Sequence, residues 1–218
     1  MTAPATETSD ATSDATSTGT PAGTPNGTPN GTAPGATRRS GEVATGGRTQ
    51  HDVVTTPAAR RALALARVGV ALVFLWPFLD KLLGLGYATA PENAWVRGGE
   101  PTQGYLQHGA GGPFAPTFAA IAGPVTDWLF MVGLAAVGVA LLLGIGVRVA
   151  AVAGSLLMAL LWVAGWPLAA GSTNPVVDSH VVVILLLAVL ALTFAGETWG
   201  LGRRWARLPL VRRLPWLR

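Results

Sequence analysis

The stretch DWLFMVGLAAVGVALLLGIGVRVAAVAGSLLMALLWVAG, residues 127–165, sets a single arginine, Arg148, between two uninterrupted apolar runs. The first, Trp128 to Val147, and the second, which continues uncharged from Val149 to Val177, are each long enough to cross a hydrocarbon core of about 30 Å at a helical rise of about 1.5 Å per residue. The GIGVR turn between them places Arg148 where the chain leaves the apolar layer and returns. The stretch therefore reads as two helices crossing a bilayer in succession.

Working outward, Ser179 to Gly196 is a further apolar run, and Ala62 to Leu85 is another, interrupted by Arg67, Asp80 and Lys81. The expected fold is all-α, an integral membrane four-helix bundle with spans at about 62–85, 125–146, 148–169 and 176–196. Hydrophobic residues make up 50% of the chain and charged ones only 12%, which agrees with this class. The membrane domain is expected over 57–202. Residues 1–56, rich in Thr, Ala, Gly, Pro and Ser with the repeat GTPAGTPNGTPNGT, bury too little apolar area to offset ordering entropy, so a disordered tail is expected there. Residues 203–218 form a basic tail. The start has no basic residue followed promptly by an apolar run, so it does not read as a secretory leader.

Arginines 38, 39, 48, 60 and 61 precede the first span, and 203, 204, 207, 212, 213 and 218 follow the last. The loop of about 87–124 holds only Arg97, and AAGSTNPVV holds none. This asymmetry predicts a multi-pass protein of the plasma membrane with both termini cytoplasmic and the lipid bilayer as its surroundings. The net charge of +4 is topological in this reading, and no nucleic-acid partner is expected. The absence of cysteine removes thiolate metal sites, iron–sulfur clusters and nucleophilic thiols. No metal site and no bound prosthetic group are expected.

Ionisable residues gather at two levels. Asp80 and Lys81, about 27 to 29 Å along the first helix from Ala62, share the outer edge with Asp127, Asp178 and His180. Asn174 as a cap with Pro175 at the first helical position would put Asp178 in the first turn, where the dipole favours an anion. Capping explains Asp178 better than His180, which gains little as a neutral ring. If both were helical they would point about 200° apart; either His180 looks toward a different helix, or the helix starts at Asp178 itself. At the inner edge Arg67, Arg148 and Glu197 are expected to form a structural ion cluster, because a charge at that depth needs a partner. Arg67, Phe74 and Lys81 recur every seven residues and so share a face turned into the bundle, with Pro77 expected to kink the helix. The long outer loop reads either as a lid over an outward-facing site or as a connector, with a short helix near 113–121.

With ALARVGVALVFLWPFLDKLLGLG, PTQGYLQHGAGGPFA, residues 127–158 of the opening stretch and TNPVVDSHVVVILLLAVLALTFAG, the chain resembles the DoxX/DoxD family of four-helix membrane proteins over about 60–200. It resembles in particular the DoxD-like large-subunit branch associated with thiosulfate:quinone oxidoreductase. The family pattern is matched at Arg67, Lys81, Arg148, Asn174, Asp178 and His180. The resemblance implies a subunit that, with a small membrane partner, passes electrons from thiosulfate to a membrane quinone as acceptor. It carries no assignment of catalytic residues. In that reading Asp178 and His180 move protons as the catalytic pair, and Lys81, Asp80 and Asp127 bind substrate or quinone. The alternative is a non-enzymatic scaffold or anchor for a soluble redox partner or another protein, in which the same residues only cap and pair.

Overall fold

The computed structural model describes residues 48–172 and 174–218, and all regular elements among them are helical. A short helix, α1 (Gln50–Val53), is followed by α2 (Pro57–Leu83). The long loop after it contains 3-10 turns at Pro91–Asn93 and Trp95–Arg97, a π turn at Tyr105–Gly109 and α3 (Ala115–Ala120). Then come α4 (Pro124–Leu143), α5 (Val147–Gly165) and α6 (Ser179–Leu192). The chain closes with α7 (Gly202–Trp205), α8 (Pro209–Arg213) and a 3-10 turn at Pro215–Leu217.

Three of these helices, α2, α4 and α5, are long and apolar enough to cross a membrane. The fourth apolar helix, α6, is shorter at 14 residues and packs against α5 and α2. Proline opens α2 and α4, where its missing N–H costs nothing, and a left-handed glycine closes each, Gly84 and Gly144. Pro77 lies inside α2 without ending it.

The four helices share one core. Phe74 and Ala71 of α2, Leu134 and Leu141 of α4, Ala150 and Met158 of α5, and Leu187 and Leu190 of α6 all bury in it. Gly154 lets three helices approach: a Cβ there would stand 3.1 Å from side chains of Leu187, Phe74 and Val137. Lipid tails are as apolar as leucine, so helices in such an environment hold together by close van der Waals packing, and small residues permit it. The opposite faces are apolar too. Only 28–33% of each membrane-length apolar window is buried in the fold, and Leu65, Leu72, Leu129, Val152, Leu156 and Leu185 all stand exposed. A soluble protein rarely shows such a belt, and its height and composition suit contact with a hydrocarbon layer.

The disordered tail expected over 1–56 lies outside the described residues as far as 47, but its last part is structured. Gln50 of α1 is fully buried, and the segment is tied to the end of the bundle where α4 and α6 finish. The supposed C-terminal tail also folds back: Trp205 Nε1 donates to the Leu217 carbonyl at 2.7 Å and Arg148 N to that of Arg218 at 3.0 Å. The first described residues and the C-terminus therefore lie at one end, called the arginine-rich end below.

Candidate functional site

At the end opposite the arginine-rich one, α6 begins one residue after Asp178. Asp178 is extended, at φ −107° and ψ −172°, and serves as the N-cap, its Oδ1 accepting from His180 N at 3.0 Å and Val181 N at 3.2 Å. Its Oδ2 lies 2.7 Å from His180 Nδ1. The cap position settles the two alternatives left by helical geometry: because Asp178 is not itself helical, its side chain folds over the helix start and reaches the ring two residues on. Both side chains remain partly open, 26% and 31% exposed. Asn174, expected as the cap, instead accepts from Val176 N and Val177 N in the turn upstream. The helix therefore starts later than the expected span at 176.

Asp80 and Asp127 do not join that pair by any hydrogen bond among the described residues. The Asp80 oxygens accept from Tyr87 N at 3.2 Å and Ala88 N at 3.0 Å. Those of Asp127 accept from the amide and hydroxyl of Thr102 and from Gln103 Nε2. Each buried carboxylate fastens the long loop to a helix end, satisfying backbone donors that would otherwise be stranded. The loop also packs on α5 through Leu106 and Phe118 against Ala164, and edge-to-face aromatic pairs join Trp95 to Trp128 and Phe114 to Trp166. Partial burial raises the pKa of the Tyr105 hydroxyl in this cap. Lys81, in the last turn of α2, forms no ion pair within 4 Å among the described residues.

The arginine-rich end corrects the expected ion cluster. Arg67 is fully buried, yet it does not pair with Glu197. Its Nε donates to the carbonyl of Ala195, its Nη1 to those of Leu141 and Leu142, and its Nη2 to those of Thr198 and Trp199. A guanidinium has five N–H donors, and the last carbonyls of α4 and the chain leaving α6 take all of them. The Leu141 and Leu142 carbonyls lie in the last turn of α4, at the negative end of its dipole, while those of Ala195, Thr198 and Trp199 belong to the irregular chain after α6. The knot requires bare backbone: Gly144 sits at φ 70°, and a Cβ on Gly196 would fall 2.3 Å from the Gly144 oxygen.

Arg148 stacks its guanidinium over Phe194, 4.7 Å from the ring centroid. Glu197 finds other partners: its Oε2 accepts from Gln50 N at 3.0 Å, and its carboxylate stands 3.7 Å from Arg218 Nη2 and 4.0 Å from Arg203 Nε. Gln50, Phe194 and Gly196 are structural residues that the sequence reading missed. For Gln50 a signal existed, since Thr49 and Asp52 have capping-box spacing. Thr49 N and Oγ1 both donate to Asp52 Oδ2, at 2.7 and 2.9 Å, and the bond from the Thr49 backbone chiefly holds the Asp52 carboxyl below the usual carboxylate range. Nothing in the sequence marks Gly196 as opposite Gly144.

Among the described residues no group of three or more metal-ligating side chains gathers. Compared with family models, with curated proteins and with solved structures, the chain matches none.

Proposed function

We propose that the chain is a four-span subunit of a redox system in the plasma membrane, with both termini cytoplasmic, in which Asp178 and His180 handle protons at the outer face. The observation that carries this reading is a carboxylate–imidazole pair at the head of a helix too short for the bilayer. The 14 residues of α6 rise about 21 Å against a core of about 30 Å. Asp178 and His180 would then lie beneath the membrane surface. Non-helical backbone at such depth is tolerated only against protein or a water-filled cavity, and an ionisable pair there marks a functional site by default.

The geometry suits proton handling. Asp178 accepts from Nδ1–H, which fixes the tautomer and ring orientation and leaves Nε2 free to take or give a proton. Two-electron reduction of a quinone to the quinol takes up two protons, and an imidazole can both accept and donate a proton. Lys81, at the same end of the bundle, supplies positive charge for an anionic donor. The resemblance to the DoxX/DoxD family supports thiosulfate as that donor and a membrane quinone as acceptor, reached from the lipid. A cysteine-free chain needs electron-carrying groups from elsewhere, which fits a small membrane subunit or a soluble redox partner. The alternative, a non-enzymatic scaffold, draws on a separate observation: Asp80, Asp127, Arg67 and Glu197 are all engaged in holding the chain together.

Thiosulfate-dependent quinone reduction in membranes containing the chain and its partner tests the reading. Asp178→Asn keeps an oxygen for the cap, since Asn caps about as well as Asp, but loses the acceptor for His180 Nδ1–H. Asp178→Asn and His180→Gln should therefore fold at normal yield and lower the rate about 10² to 10⁴-fold. Full activity in both folded variants would sink the proton-handling role and leave the scaffold.

A further inference from the structure

We infer that the arginine-rich end carries a binding site for the phosphate of anionic phospholipid headgroups, built by the C-terminal segment 201–218. The inference rests on the membrane reading above but not on the redox chemistry. An open groove of about 1160 Å³ is lined by Arg203, Arg207, Arg212, Arg213, Arg218 and His51, with Glu197 the only acidic side chain in its lining among the described residues. Glu197 already faces Arg203 and Arg218 and accepts from Gln50. Arg207, Arg212 and Arg213 have no carboxylate within 4 Å among the described residues. Like charges gathered in one groove repel one another until an anion enters, and guanidinium groups match phosphate oxygens in a two-bond fork.

The rim identifies the source of the phosphate. Between and beside the arginines, Leu208, Leu210, Leu214 and Trp216 stand 39–61% exposed. Apolar and aromatic side chains alternating with arginine are the composition of a segment lying at the headgroup layer. The position agrees: Arg148, one residue inside α5, donates its N–H to the Arg218 carbonyl. The segment therefore sits where the membrane-length helices leave the hydrocarbon. Anionic lipid satisfies both features at once, phosphate in the groove and acyl chains beside the leucines. A soluble phosphate would gain nothing from the rim.

The test uses the full chain purified in neutral detergent and native mass spectrometry to count bound lipid. Phosphatidylglycerol should bind at least tenfold more tightly than phosphatidylcholine, and glycerol phosphate at equal concentration should not compete. The double change Arg212→Gln/Arg213→Gln should weaken phosphatidylglycerol roughly 30-fold, from two surface cations near an anionic headgroup. Arg97→Gln, in the loop at the other end, should leave it unchanged. Should the double variant fold poorly, Arg207→Gln supplies the same comparison with a smaller loss. Equal binding of the two lipids, unaltered binding in the arginine variants, or free phosphate binding as tightly as the lipid would each overturn the site. An alkaline carbonate wash separates the premises: a chain that stays in the membrane pellet yet shows no lipid preference loses this inference alone, whereas a chain released by the wash loses the membrane reading with it.

Discussion

Arg67 shows how a buried charge can be held without an opposite charge. Its five donors meet five backbone carbonyls, two in the last turn of α4 and three in the chain after α6, so backbone dipoles do what a carboxylate was expected to do. Arg67→Gln strands several of those carbonyls and should cost about 3 kcal/mol or more, since each unsatisfied buried group costs about 1 to 3 kcal/mol. Glu197→Gln keeps an acceptor for Gln50 N and loses only the charge toward Arg203 and Arg218, a change of about 1 kcal/mol. Thermal unfolding in detergent checks both, and the double variant should be additive within about 0.5 kcal/mol because the two side chains share no bond. Strong coupling would restore the ion cluster. The heptad of Arg67 and Phe74 correctly told which way the arginine faces. Its partners were illegible, because backbone carbonyls are the same at every position of a sequence.

At the scale of elements, the short α1 depends on its cap. Four residues cannot hold a helix in isolation, so Thr49, Asp52 and the docking of Gln50 against Glu197 and Thr198 must supply what length does not. The Asp52 carboxyl has a lowered pKa, so its contribution is present in full above the ordinary aspartate value of about 3.9 and disappears as pH falls through the lowered folded value. Amide exchange at Thr49 should stay slow down to about pH 4 and speed up only below it; with Asp52→Asn the same amide should show no such acid step. Loss of protection starting near neutral pH would assign the control to another group. The helices long enough to span were readable from apolar length, because nothing but burial in lipid or protein explains such runs. The start of α6 was not: Asn174-Pro175 and Asp178 both have capping chemistry, and only the path of the chain decides which one the helix uses.

For the whole molecule, the even number of apolar helices brings the first described residues and the C-terminus to one end, and the proposed topology, argued from the arginines, puts that end in the cytoplasm. The lack of cysteine makes a direct test simple. Arg97→Cys, exposed in the long loop, should react with a membrane-impermeant thiol reagent added to intact cells, and Arg212→Cys, exposed at the other end, should react only after the cells are opened. Labelling in the opposite order would invert the topology and move the proposed proton site to the inner face.

Apolar length is a property of composition, which is why the all-helical class and the spanning length of three of the four expected helices follow from the sequence by itself. Partnership is a property of the folded path. Asp80 and Asp127 proved to be fasteners of the long loop, Glu197 a dock for Gln50, and Gly144 and Gly196 the two sides of one backbone crossing. Except for Asp80, whose partners lie 7 and 8 residues on, each depends on chain segments far apart in sequence arriving at one helix end. The demand for hydrogen bonds there is dictated by physics, but which side chain meets it is decided only when the tertiary structure brings the candidates within reach.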